Sequence, residues 1–229
     1  MANIENNTTS VQRRLQQAAR DAGRNPEDIL LLAVSKTRTS AQVRTAMESG
    51  LSSFGENYLQ EAVEKIAQLS NSAISWHFIG PLQSNKTRQV AEHFDWVHTV
   101  DRLKIAKRLS DQRAPDMPAL NVCLQINIDN ESSKSGLSPE QAIEVANSVA
   151  LLPNLRLRGL MAIPKPSTEP AEQRQPFARL RALLEEINTR LDNSQKLDTL
   201  SMGMSGDLEP AIYEGATIVR VGTDIFGPR

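Results

Sequence analysis

Cysteine is almost absent: Cys123 is the only one in 229 residues, so neither a disulfide framework nor a cysteine-rich metal site can be written. It sits in the apolar run LNVCLQINI, where burial raises a thiol's pKa and leaves it inert, and a chain built this way suits a reducing compartment. Long hydrophobic runs are missing too. No stretch approaches the roughly eighteen apolar residues of a membrane span, and the opening MANIENNTTSVQRRLQQAARDAG has no apolar core of signal-peptide length. The expectation is a cytoplasmic protein with no membrane partner. Charge of one sign is lacking as well. With 26 Lys and Arg against 27 Asp and Glu, interspersed, nothing marks a nucleic-acid partner. His77, His93 and His98 lack ligand spacing, which argues against a metal site. There is no Walker loop, nucleophile elbow or GxGxxG fingerprint, so NTPase and hydrolase functions fall away.

What is present is a regular alternation. Residues 4 to 22 place Ile4, Val11, Leu15, Ala18 and Ala22 on one helical stripe, which Gly23 can stop. Ile29 to Val34 is then a continuous apolar run, the pattern of a parallel strand buried on both faces. Further strand-like runs lie near Leu51–Phe54, Ile74–Ile79, Trp96–Val100, Leu120–Ile128, Leu155–Ile163, Thr199–Met204 and Thr217–Phe226. Helical patterns separate them. Ser40 can cap a helix through Met47; Leu59, Val63 and Ile66 share a face; Ser138, Pro139 and Gln141 form a capping box; Phe177, Leu180, Leu184, Ile187 and Leu191 make the longest stripe.

About eight strands alternating with about seven helices predict an α/β fold of right-handed crossovers, and eight parallel strands close a (β/α)8 TIM barrel. The length suits a single domain over residues 1–229. An open doubly wound sheet is the alternative, but its glycine-rich first turn is replaced here by Ser35-Lys36-Thr37. The chain ends just after the eighth strand, so the extra N-terminal helix is expected to fill the place of an eighth crossover helix.

Function in such barrels gathers at the C-terminal ends of the strands. Those ends read Lys36, Gly55-Glu56-Asn57, Gly80 to Gln83, Asp101, Asn127, Met161, Ser201 to Ser205, and Arg220 to Thr223. Lys36 ends a strongly apolar strand, where lost hydration lowers an amine's pKa and frees its lone pair for imine formation; the alternative is a lysine that snorkels outward or pairs with a carboxylate. LSMGMSGDLEP and VRVGTDIFG end the last two strands, where barrels bind phosphate. Gly203, Gly206 and Gly222 let backbone N–H groups approach an anion, and Ser205 and Thr223 offer hydroxyls. The alternative is a pair of ordinary turns. Arg220 needs a partner: a structural carboxylate such as Glu56, or a ligand's ring nitrogen or phosphate. Two loops, DNESSKSGLSP and the proline-rich IPKPSTEPAEQRQPF, would overhang this rim as a lid or as tolerated insertions.

LLAVSKT, FGENY, WHFIGPLQSNK, SKSG, RGLMAI and the SMGMS and VRVGT pair, spread over nearly the whole chain, closely resemble the pyridoxal phosphate homeostasis protein family. That family is similar to the barrel domain of alanine racemase, a fold type III pyridoxal enzyme, without its appended β-domain. The resemblance implies that Lys36 forms the internal aldimine with pyridoxal 5'-phosphate, with Asn57 and Met161 beside the cofactor. It places Ser201, Gly203, Ser205, Gly222 and Thr223 around the phosphate and Arg220 against the pyridine nitrogen. Many members carry a lysine at Arg38 and an acidic residue at Gly206; Pro210 and the lack of a basic tail are further departures. A second cofactor-accepting lysine would then be Lys134 or Lys86.

The resemblance also bears on catalysis. An arginine against the ring nitrogen opposes its protonation and weakens the electron sink. Racemases take a second base from a partner's β-domain, and losing a positioned base typically costs about 10² to 10⁴ in rate; neither Tyr58 nor Tyr213 is placed as a substitute by the sequence. The expectation is a monomeric carrier without catalytic residues, holding the cofactor reversibly and delivering it to apo-enzymes. A racemase or a Schiff-base aldolase acting on a sugar phosphate is the alternative.

Overall fold

The computed structural model describes residues 3–70, 72–131 and 134–228. Eight strands, β1 (Leu30–Val34), β2 (Ser53–Glu56), β3 (Ser75–Phe78), β4 (Trp96–Val100), β5 (Leu120–Ile126), β6 (Leu155–Ala162), β7 (Thr199–Ser201) and β8 (Ile218–Val221), follow one another in chain order around a closed barrel. Every pairing is parallel, and β1 closes the ring on β8 through Leu30↔Ile218 to Ala33↔Val221. In β1 the residues Leu31, Leu32 and Ala33 are buried, because one face lines the barrel and the other lies under helices.

Seven helices make the crossovers: α2 (Ser40–Glu48), α3 (Leu59–Gln68), α4 (Thr87–His93), α5 (Leu103–Gln112), α6 (Pro139–Ala150), α7 (Pro170–Asn188) and α8 (Leu208–Tyr213). α1 (Ile4–Asp21) precedes the first strand, and the single turn α9 (Thr223–Phe226) follows the last. Asn3 caps α1 by accepting from Asn6 N–H, and the buried stripe Ile4, Val11, Leu15 and Ala18 packs the helix on α8 and α9. The place of an eighth crossover helix is filled as the alternation suggested. Ser138 and Gln141 form the expected capping box, with Pro139 in the first turn of α6.

Three boundaries and one buried face differ from the sequence expectation, each for a local reason. The cap of α2 is Thr39, whose hydroxyl accepts from Gln42 N–H while the Gln42 side chain accepts from Thr39 N–H; Ser40 is already helical. The eighth strand stops at Val221, where Gly222 turns the chain into α9, and Ile225 and Phe226 are the buried side of that turn, not a strand's continuation. The proline-rich segment is mostly helix: α7 starts at Pro170, where a fixed φ suits the first turn, and runs through Pro176, so the unstructured part is only residues 163–169. In α3 the fully buried line is Leu59, Ala62 and Lys65, with Val63 and Ile66 half-covered beside it. A lysine therefore faces inward.

Candidate functional site

Lys36 stands two residues past the end of β1, half-buried, beyond Ser35, whose N–H donates to Gly55 O at 3.0 Å. The neighbouring strand ends in Glu56 and Asn57. Glu56 is fully buried, and its Oε1 accepts from Lys65 Nζ at 2.7 Å and from Ser35 Oγ at 2.5 Å. That pairing removes Glu56 as a carboxylate for Arg220. Burial pushes the Glu56 carboxyl above its ordinary range, and the Lys65 ammonium opposes the rise.

Asn57 Oδ1 is buried and has no hydrogen-bond partner among the described residues. It lines a cavity of about 260 Å³ with Thr99, Asp101, Asn127, Lys134 and Ile163. Gly80 makes room for it: a Cβ there would lie 2.1 Å from the carbonyl oxygen of Asn57. Lys134 Nζ donates to Ile163 O at 3.1 Å and pairs with Glu131 at 2.6 Å, and Asp129 accepts from Lys165 N–H at 2.7 Å. The loops after β5 and β6 are thus bonded to each other beside this cavity. Ser132 and Ser133 of the first loop lie outside the described residues. Lys86 is exposed at the start of α4.

Arg220 is buried in β8. Its Nη1 donates to Ser201 O at 2.6 Å and to Ser201 Oγ at 2.9 Å, and Nη2 donates to Ala162 O at 3.0 Å. Burial lowers its pKa to about 10, against the pull of Asp207, so the guanidinium is charged at neutral pH. Beneath it runs a line of contacts that sequence reading missed. Ser201 Oγ meets His98 Nδ1 at 2.7 Å, His98 Nε2 meets His77 Nδ1 at 2.9 Å, and His77 Nε2 meets Ser75 Oγ at 3.2 Å. Burial pushes His77 down to about 3 and His98 well below its usual value, with the charges of His77 and Arg220 adding to the latter. Two neutral rings have one N–H each, so all the contacts must run in the same direction along the line. One signal was available: each histidine is the third residue of its strand, and the strands are neighbours.

Met161 is fully buried and pairs in register with Gln125 and Ser201. Ser201 is committed inward to Arg220 and His98, whereas the other phosphate candidates lie on the two outer turns. Gly203 has φ +90°, and a Cβ on it would sit 2.5 Å from Ala211 Cβ, so helix packing alone demands a glycine there. At Gly206 an added Cβ would meet nothing within 4 Å, so no close approach requires that glycine. Gly222 starts α9 with no side-chain cap, leaving its first turn open beside exposed Thr223. Arg14 of α1 gathers both turns: it donates to Ser205 O at 3.1 Å, to Glu209 at 2.8 Å and to Asp224 at 2.6 Å. Arg38 donates to Gly227 O at 2.6 Å and Pro228 O at 3.1 Å.

Of the two tyrosines, Tyr58 is exposed beside Asn57, and Tyr213 lies under the Arg174 guanidinium in the helical layer. A second cavity, of about 600 Å³, opens at the opposite end of the barrel, where Arg158 and Asp198 satisfy each other at 2.8 Å. Among the described residues there is no cluster of three or more His, Cys, Asp or Glu that could hold a metal ion, and no helix long and apolar enough to cross a membrane.

The family profile described as alanine racemase, N-terminal domain, matches residues 3–229. The chain is 58% identical to the pyridoxal phosphate homeostasis protein of Pseudomonas aeruginosa, covering 100% of this chain and 97% of the relative. Among solved structures it resembles PipY of Synechococcus elongatus with PLP bound, at 36% identity and TM-score 0.81, covering 93% of this chain and 99% of that one. Alanine racemase of Corynebacterium glutamicum shares the fold alone, at 18% identity and TM-score 0.70, with 99% of this chain matched to 61% of the racemase.

Proposed function

The chain belongs to the pyridoxal phosphate homeostasis protein family, and from that premise we propose that it holds pyridoxal 5'-phosphate reversibly through Lys36. The observation that carries this is the buried, unpartnered Oδ1 of Asn57 after β2 on the same rim as Lys36 after β1, next to an uncapped helix turn at Gly222 and Thr223 after the adjoining β8. An amine, an unused polar atom and open backbone N–H groups form a donor set that fits an aldehyde ring with an anionic tail. The bound cofactor supplies an electrophilic carbon and a phosphate dianion.

The chain's own residues supply the rest. Lys36 provides the nucleophilic amine, and the rim lowers its hydration. Ser205, Gly222 and Thr223 face the phosphate with a hydroxyl or backbone N–H, Gly203 fixes the turn that presents Ser205, and Asn57 and Met161 flank the ring. Arg220 stays charged and donates toward the ring nitrogen, while the hydroxyl of Ser201 holds Arg220 from behind. A charged guanidinium gives up no proton, so this arrangement holds the ligand while weakening its pull on electrons. That agrees with relatives named for homeostasis and not for a reaction. In the finer reading residues 1–229 act as one domain, a cytoplasmic monomer that releases its ligand to apo-enzymes of the same cofactor.

Borohydride trapping followed by mass spectrometry tests the assignment. Wild type should acquire one phosphopyridoxyl mass on Lys36, and Lys36→Ala should lose it. Equal labelling of both proteins would remove Lys36 from the role.

A further inference from the structure

Lys36 is gripped on both sides by a single ion-paired cluster. The carbonyl of Ser35, which precedes it, accepts from Lys65 Nζ at 2.6 Å, and the N–H of Thr37, which follows it, donates to Glu61 Oε1 at 2.7 Å. Lys65 and Glu61 lie one turn apart on α3 and meet at 2.6 Å. Lys65 also meets Glu56 of β2 at 2.7 Å, and Glu56 accepts from the Ser35 hydroxyl. The two peptide groups that determine the direction of the Lys36 side chain are therefore tied to one helix face.

The cluster has two further properties. An ammonium has three hydrogens, and Lys65 has three acceptors in Ser35 O, Glu56 and Glu61, so it is saturated as well as buried. With every hydrogen engaged and its nitrogen enclosed, this amine does not compete with Lys36 for an aldehyde. Thr37 has φ +63°, a conformation that a β-branched residue rarely adopts, and one that persists where its surroundings over-determine it. The bond from Thr37 N–H to Glu61 is such a surrounding.

Building on the assignment of Lys36 above, we infer that Lys65 and Glu61 are positioning residues: they clamp the peptide groups on either side of Lys36 and so aim its amine at the cofactor's carbonyl carbon. The clamp acts through backbone geometry, so its loss slows uptake of the cofactor more than it unfolds the protein. Glu61 is the cleaner probe, because its side chain is about a third exposed, whereas removing Lys65 strands a buried carboxylate.

The test follows the growth of visible absorbance after mixing with pyridoxal 5'-phosphate, alongside thermal melting. Glu61→Ala should melt near wild type yet gain the band about tenfold more slowly, within the loss that ångström-scale misplacement brings. Glu61→Gln keeps an acceptor for Thr37 N–H and should recover most of the rate. Thr37→Gly, which relaxes the backbone without touching the ion pairs, should slow uptake without lowering the melting temperature. Wild-type rates in both Glu61→Ala and Thr37→Gly overturn the clamp alone. A wild type that takes up no cofactor, or a Lys36→Ala that takes it up equally well, overturns the assignment of Lys36 and the clamp with it.

Discussion

Arg14 of the N-terminal helix meets Asp224 of the last helical turn at 2.6 Å, although 210 residues separate them. The same guanidinium reaches Glu209 and the carbonyl of Ser205, so α1 ties together the two turns that carry the phosphate candidates. Arg14→Met should lower the melting temperature by about 2–4 °C, the usual yield of ~1 kcal/mol in a chain of this size. Retention of pyridoxal 5'-phosphate during dialysis should fall more than that change alone explains, because the turns that carry Ser205 and Thr223 lose the anchor they share through Ser205 O and Asp224. Unchanged retention with a lowered melting temperature would confine Arg14 to stability.

Two nearby glycines should respond in opposite ways. Gly203→Ala forces a side chain into a left-handed conformation against Ala211, at a cost of about 2–4 kcal/mol. Gly206→Ala enters open space and should shift stability by less than about 0.5 kcal/mol. Urea unfolding midpoints for the two variants decide it; similar midpoints would contradict the described geometry of the turn.

The buried histidines set an acid limit on stability. His77 and His98 remain neutral in the folded chain, while in the unfolded chain they take up protons below about pH 6.5. The unfolded state then binds more protons, so stability is intact above that pH and declines as the pH falls from there toward 3, by about 1.4 kcal/mol per pH unit for each histidine. The melting temperature should drop between pH 7 and pH 5, and His77→Gln should show a shallower drop. Identical slopes in the two proteins would place the acid sensitivity elsewhere.

Cys123 offers a control on folding. Burial pushes its thiol up to about 12, and no surface reaches it. A thiol-reactive dye should label the native protein negligibly and the urea-unfolded protein stoichiometrically. Fast labelling of native protein would mean that β5 opens.

The barrel was legible in the sequence because its signals are local. The apolar run of β1, the capping box of α6 and the alternation of short strands with amphipathic helices each depend on a few adjacent residues. Lys36, Asn57, Met161 and Arg220 were legible as strand-end residues once a barrel was assumed. Apolar content alone could not separate α9 from β8, since Ile225 and Phe226 suit a strand as well as a buried helical turn. Lys65 was hidden for the opposite reason: hydrophobic periodicity turns a lysine outward, and its burial is made tolerable by Glu56 of β2, Glu61 of the preceding helical turn and the carbonyl of Ser35, which come together through the fold. The contacts from Ser75 to Ser201 join β3, β4 and β7, and their alignment depends on barrel register.

Arg220 is a rivet. Rooted in β8, it holds the carbonyls of Ser201 in β7 and Ala162 in β6, so three adjacent staves of the cylinder are fastened from within. Any load placed on that guanidinium is shared by all three, and the wall is braced where it is weakest, at the β7 stave, which is only three residues long.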